Sequence, residues 1–318
     1  MPLHYELSDL RLLLILMRTR SLSASGEAAH LTTSAVSLRL RKLEDGIGAQ
    51  LFTRTGKGLV PTEAGTALAE AAVPILAESA ALDARLNPFS KHDPEPLRIF
   101  SNSTGLQNFL CRIAADYLRE NSSFRAVLTE QRSSLTPEAV LTGEADLGLI
   151  GGIRELSPAY RTKLELVQFV EDRHVVILPR DSSAAQQFKN RPILFAELLN
   201  LRFAALTDAS PMTAAMKERA LAAGFRFEPI IEAPSFSLLV ELVARGPLAA
   251  VVPASAVPPN APVEVRELED SWAARPLAFV LPKARPALPS AIDFVEFALR
   301  TQKKDKHHCV TICIPIRA

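Results

Sequence analysis

Hydrophobic residues in the first sixty positions recur at the spacing of three short helices followed by a hairpin. The first helix is indicated by one apolar face, made by Leu7, Leu10, Leu14 and Met17. Residues 21–29 suggest a second short helix, and Thr32 is a suitable N-cap for a third that ends at Gly46. Two apolar segments around a glycine-containing turn then predict a hairpin over residues 51–60. Residues 1–62 therefore form one small domain.

A longer helical pattern follows at residues 63–86, about 36 Å at 1.5 Å per residue. Its apolar positions alternate between spacings of four and three, as in a coiled-coil seam: Leu68, Ala72, Ile75, Ser79, Leu82 and Leu86. The seam favours pairing with a second copy of the chain, and the alternative is packing on the chain's own next domain. Pro74 removes a backbone donor from the helix interior, so a kink is expected near Glu70.

Beyond this helix the composition shifts twice. Residues 87–96 include Pro88, Pro94 and Pro96 and are predicted to be a hinge. From 97 to 301, short β-branched segments alternate with helical ones, which predicts an α/β domain with parallel strands. The strands are expected at 97–101, 126–130, 147–150, 174–178, 203–206, 229–231, 249–252 and 277–281.

The length of this α/β region suits two subdomains with a cleft between them. Subdomain I would take about residues 97–168 and 275–301, and subdomain II about residues 169–274. Residues 302–318 would be an unstructured tail, polar at first and then apolar. In open parallel sheets, ligands bind beyond the carboxyl ends of the strands, so the cleft is the expected binding site.

Composition narrows the class of protein. With 48% hydrophobic and 22% charged residues, the chain of 318 residues is not mostly disordered, and its length favours two or three domains. Three cysteines are too few for a disulfide framework, which favours a reducing compartment. The longest early apolar run, residues 12–17, is too short to span a bilayer. We therefore expect a cytoplasmic protein without a membrane partner.

Charge is distributed unevenly. The whole chain carries +1, but residues 1–62 hold eight Lys or Arg and five Asp or Glu, a net +3 that leaves −2 for the remainder. The amino-terminal domain is therefore the candidate for binding nucleic acid.

The third helix has two faces of different chemistry. An inward face is made by Val36, Leu40, Leu43 and Ile47, and the opposite face carries Thr33, Ser34, Ser37, Leu38 and Arg41. Short hydroxyls and an arginine suit a helix in a DNA major groove, although an ordinary amphipathic surface helix would also have a polar face. A hairpin with Arg54 and Lys57 follows, which predicts a winged helix-turn-helix with double-stranded DNA as its partner. The expected DNA-binding residues are Thr32, Thr33, Ser34, Ser37, Leu38, Arg41, Arg54 and Lys57.

These residues belong to a longer pattern. The run from Arg20 to Leu31, followed by Ser34-Ala35-Val36-Ser37, Arg41-Lys42-Leu43-Glu44, Gly48, Leu51-Phe52, Arg54 and Thr62-Glu63-Ala64-Gly65, resembles the LysR-type transcriptional regulators. A moderate resemblance continues through Leu97-Arg98-Ile99, residues 143–150 and residues 239–253. Members of that family usually carry glutamine, proline and arginine where this chain has Thr33, Ser34 and Leu38, so the DNA sequence they prefer does not transfer.

The resemblance implies a fold and a function. The fold would be α/β overall, with an N-terminal winged helix-turn-helix, a long linker helix, and a C-terminal two-subdomain effector domain like periplasmic binding proteins. The protein would be a bacterial DNA-binding regulator, homodimeric or homotetrameric, that responds to a small-molecule effector and has RNA polymerase as a further partner.

Three loops of the predicted cleft carry suitable groups for an effector. Asn102, Ser103 and Thr104 follow the first strand, Arg132 and Ser133 follow the second, and Thr207 and Ser210 follow the first strand of subdomain II. Helix N-termini and an arginine favour an anion, most simply a carboxylate. For each hydroxyl, a plain helix-capping role is an equally good explanation.

The sequence favours a regulator over an enzyme. The six histidines are scattered, and neither a P-loop nor GxGxxG is present, so no catalytic residue and no cofactor is predicted. His307, His308, Cys309 and Cys313 cluster in the predicted tail, a weak context for a metal site, and no metal is predicted. The alternative function is a small-molecule binding protein or enzyme on the same cleft, with the amino-terminal domain used only for assembly.

Overall fold

A computed structural model describes residues 5–56, 58–86, 89, 95–153, 156–189, 191–208, 210–283 and 286–308. Lys57, most of the predicted hinge at 87–96, Cys309 and Cys313 lie outside the described residues.

The amino-terminal domain has three helices and a two-stranded hairpin, as predicted. Its elements are α1 (Leu7–Thr19), α2 (Leu22–Ala29), α3 (Thr33–Ile47), β1 (Phe52–Thr55) and β2 (Gly58–Pro61). Leu10, Leu13 and Val36 are fully buried in one apolar cluster that holds the three helices together. The helix α3 ends one residue beyond the predicted stop at Gly46, because Gly48 adopts the left-handed conformation, with φ of 77°, that terminates it.

The next helix, α4 (Glu63–Leu86), has the predicted bounds and contains Pro74 in its interior. Thr62 accepts a hydrogen bond from the amide of Gly65 at 3.0 Å, as an N-cap should. Gly65 lies against the carbonyl oxygen of Leu51, where an added Cβ would collide, so α4 packs tightly on the hairpin. Judged by length and composition alone, the segment Glu63–Asp83 is also long and apolar enough to cross a membrane. A third of its 18-residue apolar stretch is buried inside the protein.

The predicted seam of α4 is partly buried and partly exposed. Ala72 is fully buried with Leu76 in the core of the amino-terminal domain, so its assignment to an intermolecular seam is wrong. Ile75, Leu82 and Leu86 are exposed at 37%, 56% and 54%, so the amino-terminal core does not cover them. A spacing of three and four residues marks an apolar stripe without telling which partner covers it.

Elements of the remaining chain alternate between strands and helices. The first group is β3 (Leu97–Ser101), α5 (Ser103–Gly105), a π-turn (Leu106–Leu110), α6 (Cys111–Glu120), β4 (Ala126–Glu130), α7 (Thr136–Leu141), β5 (Leu147–Gly151), α8 (Pro158–Lys163) and β6 (Leu164–Glu171). The second group is β7 (His174–Pro179), α9 (Ser183–Gln187), α10 (Phe195–Leu198), β8 (Ala204–Leu206), α11 (Pro211–Ala222), β9 (Ile231–Ala233), α12 (Phe236–Arg245), β10 (Ala250–Pro253) and β11 (Val263–Glu267). The chain then returns to the first group with β12 (Pro276–Pro282) and α13 (Pro289–His308).

Two subdomains result, each with its own sheet and core. Subdomain I has the strand order β4-β3-β5-β12-β6, and subdomain II has β10-β7-β11 with the pair β8-β9 beside it. Separate apolar clusters fill them, one around Phe279 and Phe294 and another around Phe188 and Phe195.

The prediction of parallel strands is only partly correct. β3 is parallel to β4 and β5, but β12 is antiparallel to β5 and β6, and β7 is antiparallel to β10 and β11. The reason is the path of the chain, which leaves subdomain I through β6 and re-enters it through β12 in the opposite direction.

Two boundaries differ from the predicted ones. β6 runs to Glu171, so the first crossing between subdomains is at residues 172–173 rather than near 168. Helix α13 continues to His308, so residues 302–308 are helical and not an unstructured tail. This segment is rich in lysine, which has good helix propensity, and that lets a polar segment extend a helix that begins in the core.

Candidate nucleic-acid interface and effector cleft

The N-terminus of α3 is fixed by its capping residue. Thr32 accepts a hydrogen bond from the amide of Ala35 at 3.2 Å, and its hydroxyl lies 3.0 Å from that of Ser34. Because Val36 is buried, Thr33 and Ser34 are turned to solvent. These hydroxyls therefore lie at the exposed beginning of the helix, where backbone N–H groups are also free to meet an anion.

Further along α3, the outward face changes from hydroxyls to larger side chains. Leu38 and Arg41 are both exposed, and Leu38 keeps 55% of its surface in water. Arg41 has no hydrogen bond or ion pair with another described residue, so its guanidinium is available to an outside group. The predicted outward face of α3 is therefore a continuous exposed surface.

The wing is linked to this surface by one side-chain contact. Arg54 on β1 donates a hydrogen bond from its guanidinium to the hydroxyl of Ser37 on α3 at 3.1 Å. Glu44 holds the base of the wing, because one carboxylate oxygen accepts from the amides of Leu51 and Phe52 at 2.8 and 3.3 Å. Arg54 and the outer face of α3 thus form one surface, and Lys57 lies outside the described residues.

Two of the three predicted effector loops are joined directly. Asn102 caps the helical segment after β3 by accepting from the amide of Gly105 at 2.8 Å, and its side-chain amide donates to the hydroxyl of Ser133 at 3.0 Å. Ser103 is half-buried beside them, while Thr104 is 6% exposed and lies beneath the surface of the loop.

Arg132 and the third loop have open surroundings. Arg132 is exposed, and its guanidinium has no partner among the described residues. Thr207 is exposed and Ser210 is the N-cap residue of α11, without a side-chain capping bond. Neither forms a hydrogen bond with the two loops of subdomain I, and the nearby acid Asp208 is paired with Lys217 at 2.5 Å.

A polar network that sequence reasoning missed joins the two subdomains at their crossings. The hydroxyl of Ser255, just after β10, donates to the carboxylate of Asp172 at 2.8 Å and accepts from the side-chain amide of Asn108 at 3.0 Å. The guanidinium of Arg275, on the returning strand segment, lies 3.7 Å from the same carboxylate. Burial raises the pKa of Asp172, and the Ser255 and Arg275 contacts oppose that rise. Burial lowers the pKa of Arg275.

Asn108 in subdomain I bonds directly to Ser255 in subdomain II, and the two crossing segments join the network through Asp172 and Arg275. Asn108 lies in the π-turn at 106–110, an uncommon helical geometry that often occurs at functional sites. The sequence signal was Asp172 itself, an acid between two apolar strands, but its partners Ser255 and Arg275 lie 83 and 103 positions further along the chain.

His174, at the start of β7, is a further titratable group near the crossing, and it is half-buried. Its Nδ1 and the Nε1 of Trp272 have no hydrogen-bond partner in the described part of the chain. Burial, reinforced by the charge of Arg275, lowers the pKa of His174 to about 4. An apolar groove of about 360 Å³, lined by Ile230, Leu238 and Leu242 among others, lies elsewhere in subdomain II and contains none of the predicted effector residues.

A winged helix-turn-helix joined by a long helix to a two-subdomain α/β domain defines a regulator class in which DNA binding and ligand sensing share one chain. Residues 7–66 match the family model for bacterial regulatory helix-turn-helix proteins of the lysR family, and residues 90–303 match the LysR substrate binding domain. The chain belongs to the LysR family. Both models describe regulator domains and not enzymes, which favours the regulator over the alternative function.

Known proteins agree with this assignment. The transcriptional activator IlvY of Salmonella typhimurium is 31% identical over 146 residues, which are 46% of this chain and half the length of that protein. The RuBisCO operon transcriptional regulator of Allochromatium vinosum is 28% identical over 215 residues, 68% of each chain. A full-length OxyR variant from Pseudomonas aeruginosa has the same fold, with a TM-score of 0.60 at 20% identity over 93% of this chain and 95% of that one.

Proposed function

We propose that the protein is a sequence-specific DNA-binding transcriptional regulator that acts in the cytoplasm as a homodimer or homotetramer. The observation that supports this most directly is the exposed polar face of α3 joined to the wing by the hydrogen bond between Arg54 and Ser37. A surface used only for assembly would be expected to present apolar side chains there. RNA polymerase is a further partner in this proposal, because a regulator bound near a promoter lies next to the polymerase that binds the same promoter.

Roles on the DNA follow from side-chain chemistry. Arg41 would reach a guanine edge or a phosphate from the centre of α3, and the hydroxyls of Thr33, Ser34 and Ser37 would meet phosphates or base edges. Thr32 would act through the capped N-terminus of the helix. The wing residues Arg54 and Lys57 would contact the backbone or the minor groove.

Binding to the chain's own upstream DNA tests this proposal. Fluorescence anisotropy should give a Kd for that DNA well below the Kd for a shuffled duplex of equal length and composition. Affinity for both duplexes should fall steeply with salt, because bound phosphates release counterions. Equal affinity for the two duplexes at every salt concentration would contradict sequence-specific binding.

We further propose that the effector is a small organic anion, with a carboxylate as the simplest case. Asn102 and Ser133 are joined across two loops, Ser103 lies beside them and Thr104 beneath them. Arg132 is exposed with an unpaired guanidinium, and Thr207 and Ser210 would close the site from subdomain II. Helix N-termini and a bidentate arginine together favour a carboxylate without any catalytic group.

A thermal-shift screen with organic acids and neutral analogues tests the effector class. An acid that binds should raise the Tm of the wild type, and Arg132→Ala should remove most of that rise. The matched control is Arg226→Ala, which changes another exposed arginine, paired with Glu228 outside the cleft loops. Stabilisation by neutral compounds alone, or an undiminished response to acids in Arg132→Ala, would contradict the carboxylate assignment.

A further inference from the structure

Leu38 is an apolar side chain on an otherwise polar surface. It is 55% exposed at the middle of the outward face of α3, with Ser34 one turn before it and Arg41 one turn after it. The other large apolar residues of this helix face inward: Val36, Leu40 and Leu43 are buried in the core of the domain, and Ile47 packs against it.

Folding gives no reason for a leucine at this position. Leu38 is outside the apolar cluster that stabilises the amino-terminal domain. Leucine, arginine, lysine and glutamine have nearly equal helix propensities, so the helix would form as well with a polar residue there. Single exposed apolar residues are common on proteins, but this one lies within the surface proposed to enter the major groove.

Neighbouring side chains restrict what Leu38 can meet. The hydroxyl of Ser37 already accepts a hydrogen bond from Arg54, and Arg41 is free and positively charged. The partner of this surface is therefore anionic, yet it must offer an apolar group at the position of Leu38. In the major groove the apolar group that a natural base pair displays is the 5-methyl group of thymine.

We propose that Leu38 recognises a thymine methyl group, so that each operator half-site contains one thymine read by apolar contact and not by a hydrogen bond. This inference rests on the proposed function. Burial of one methyl group against a leucine contributes about a fourfold change in affinity. A deoxyuridine in place of that thymine keeps every hydrogen-bonding group and removes only the methyl, so it isolates the contact.

The experiment uses the full-length chain and DNA selected from a random-sequence library. Each thymine of the selected operator is replaced in turn by deoxyuridine, and Kd is measured by competition. We expect one position per half-site at which deoxyuridine weakens wild-type binding about fourfold. An operator with 5-methylcytosine at this position should bind the protein more tightly than one with cytosine. The methyl group of 5-methylcytosine lies at the same place in the major groove as the methyl group of thymine.

Variants at residue 38 connect the effect to the side chain. Leu38→Ala should bind the thymine and deoxyuridine operators with equal affinity, while the control Leu7→Ala, at an exposed leucine on α1, should keep the fourfold difference. Leu38→Arg should change the selected base at this position from thymine to guanine, since arginine donates two hydrogen bonds to guanine.

The outcomes separate this inference from the function on which it rests. A selection that enriches no sequence would overturn the proposed function. An enriched operator with no deoxyuridine-sensitive position, or with the same sensitivity in wild type and Leu38→Ala, would overturn the assignment of Leu38 alone. The deoxyuridine scan of the wild type needs no variant, so it decides the matter even where a substitution disturbs folding.

Discussion

The hydrogen bond from Arg54 to Ser37 fixes how the wing meets the outer face of α3. Because this contact exists in the protein alone, both side chains are held near their DNA-facing positions before DNA arrives. Such preorganisation reduces the ordering cost of binding.

The hydrogen bond between Arg54 and Ser37 leads to a prediction for the surface formed by α3 and the wing. Ser37→Ala and Arg41→Ala should each weaken specific binding by about 1–3 kcal/mol, because each removes a group that can meet a base or phosphate. Lys57→Ala should weaken binding to all sequences alike and flatten its salt dependence. Anisotropy titrations on operator and shuffled DNA measure both effects. Unchanged affinity in both α3 variants, with intact folding, would rule out α3 as the recognition helix.

His174 gives a prediction about pH. Its pKa in the folded protein is about 4, below the ordinary value of 6.5, so the unfolded chain binds more protons between those values. The free energy of unfolding should therefore fall by about 2 kcal/mol when the pH is lowered from 7 to 5. Asp172, whose pKa is raised from 3.8, acts in the opposite direction.

Urea unfolding of the wild type and His174→Gln at pH 7 and pH 5 measures this effect. The variant cannot titrate at position 174, so its loss of stability between the two pH values should be smaller by about 2 kcal/mol. The same pH dependence in both proteins would show that His174 is not responsible.

Single residues differ in how well sequence predicts them. The capping role of Thr32 and the burial of Val36 follow from local spacing and were predicted. Sequence could not predict the polar network at the crossings, which joins Asn108, Asp172, Ser255 and Arg275. Contacts between residues so far apart in the chain depend on tertiary packing. The hydrogen bond between Asn102 and Ser133 is of the same kind.

Helix α4 shows how one element serves two surfaces. Leu76 is buried in the core of the amino-terminal domain, whereas Leu82 is 56% exposed on another face. Leu82→Glu should place like charges at a symmetric interface and give monomers in sedimentation experiments, with most DNA affinity lost because each copy then holds one half-site.

The matched substitution in the same helix is Leu76→Ala. It should leave a cavity and lower the free energy of unfolding of the amino-terminal domain by about 2–5 kcal/mol, without changing the oligomeric state directly. An unaltered oligomer in Leu82→Glu would mean that another surface holds the copies together.

At the level of elements, sequence was informative where periodicity is strong. The bounds of α4 and of β3 and β4 are as predicted, because their apolar patterns are long or bounded by clear breaks. β6 and β11 were not predicted. β6 begins at the residue after α8 ends, with no turn residue to mark the boundary, and β11 has only five residues, three of them charged.

Across the whole molecule, the amino-terminal domain is in contact with subdomain I. Arg18 on α1 donates two hydrogen bonds to the carboxylate of Glu144, at 3.2 and 3.4 Å. Beside this pair, Gly143 lies so close to Ala80 of α4 that an added Cβ would collide with it. A charge pair and a close backbone approach thus join the DNA-reading and effector domains.

A double-mutant cycle with Arg18→Ala and Glu144→Ala tests this contact. Because Glu144 is 41% exposed, we expect a coupling energy of only about 0.5–1 kcal/mol in the unfolding of the full-length protein. The control pair Arg245 and Glu241, on the exposed surface of α12, should give about 0.3–0.5 kcal/mol. Additive effects at Arg18 and Glu144 would show that the pair contributes nothing to domain contact.

The π-turn at 106–110 holds one residue more than a regular α-helix would at that point. A widened turn takes up such an extra residue locally, so deletion of one residue here should leave a regular α-helical turn with α6 still in its core. The surplus residue instead widens the helix at Asn108, whose side-chain amide reaches Ser255 of subdomain II. Its removal would therefore change a contact between the subdomains without dislodging the helix that supports it.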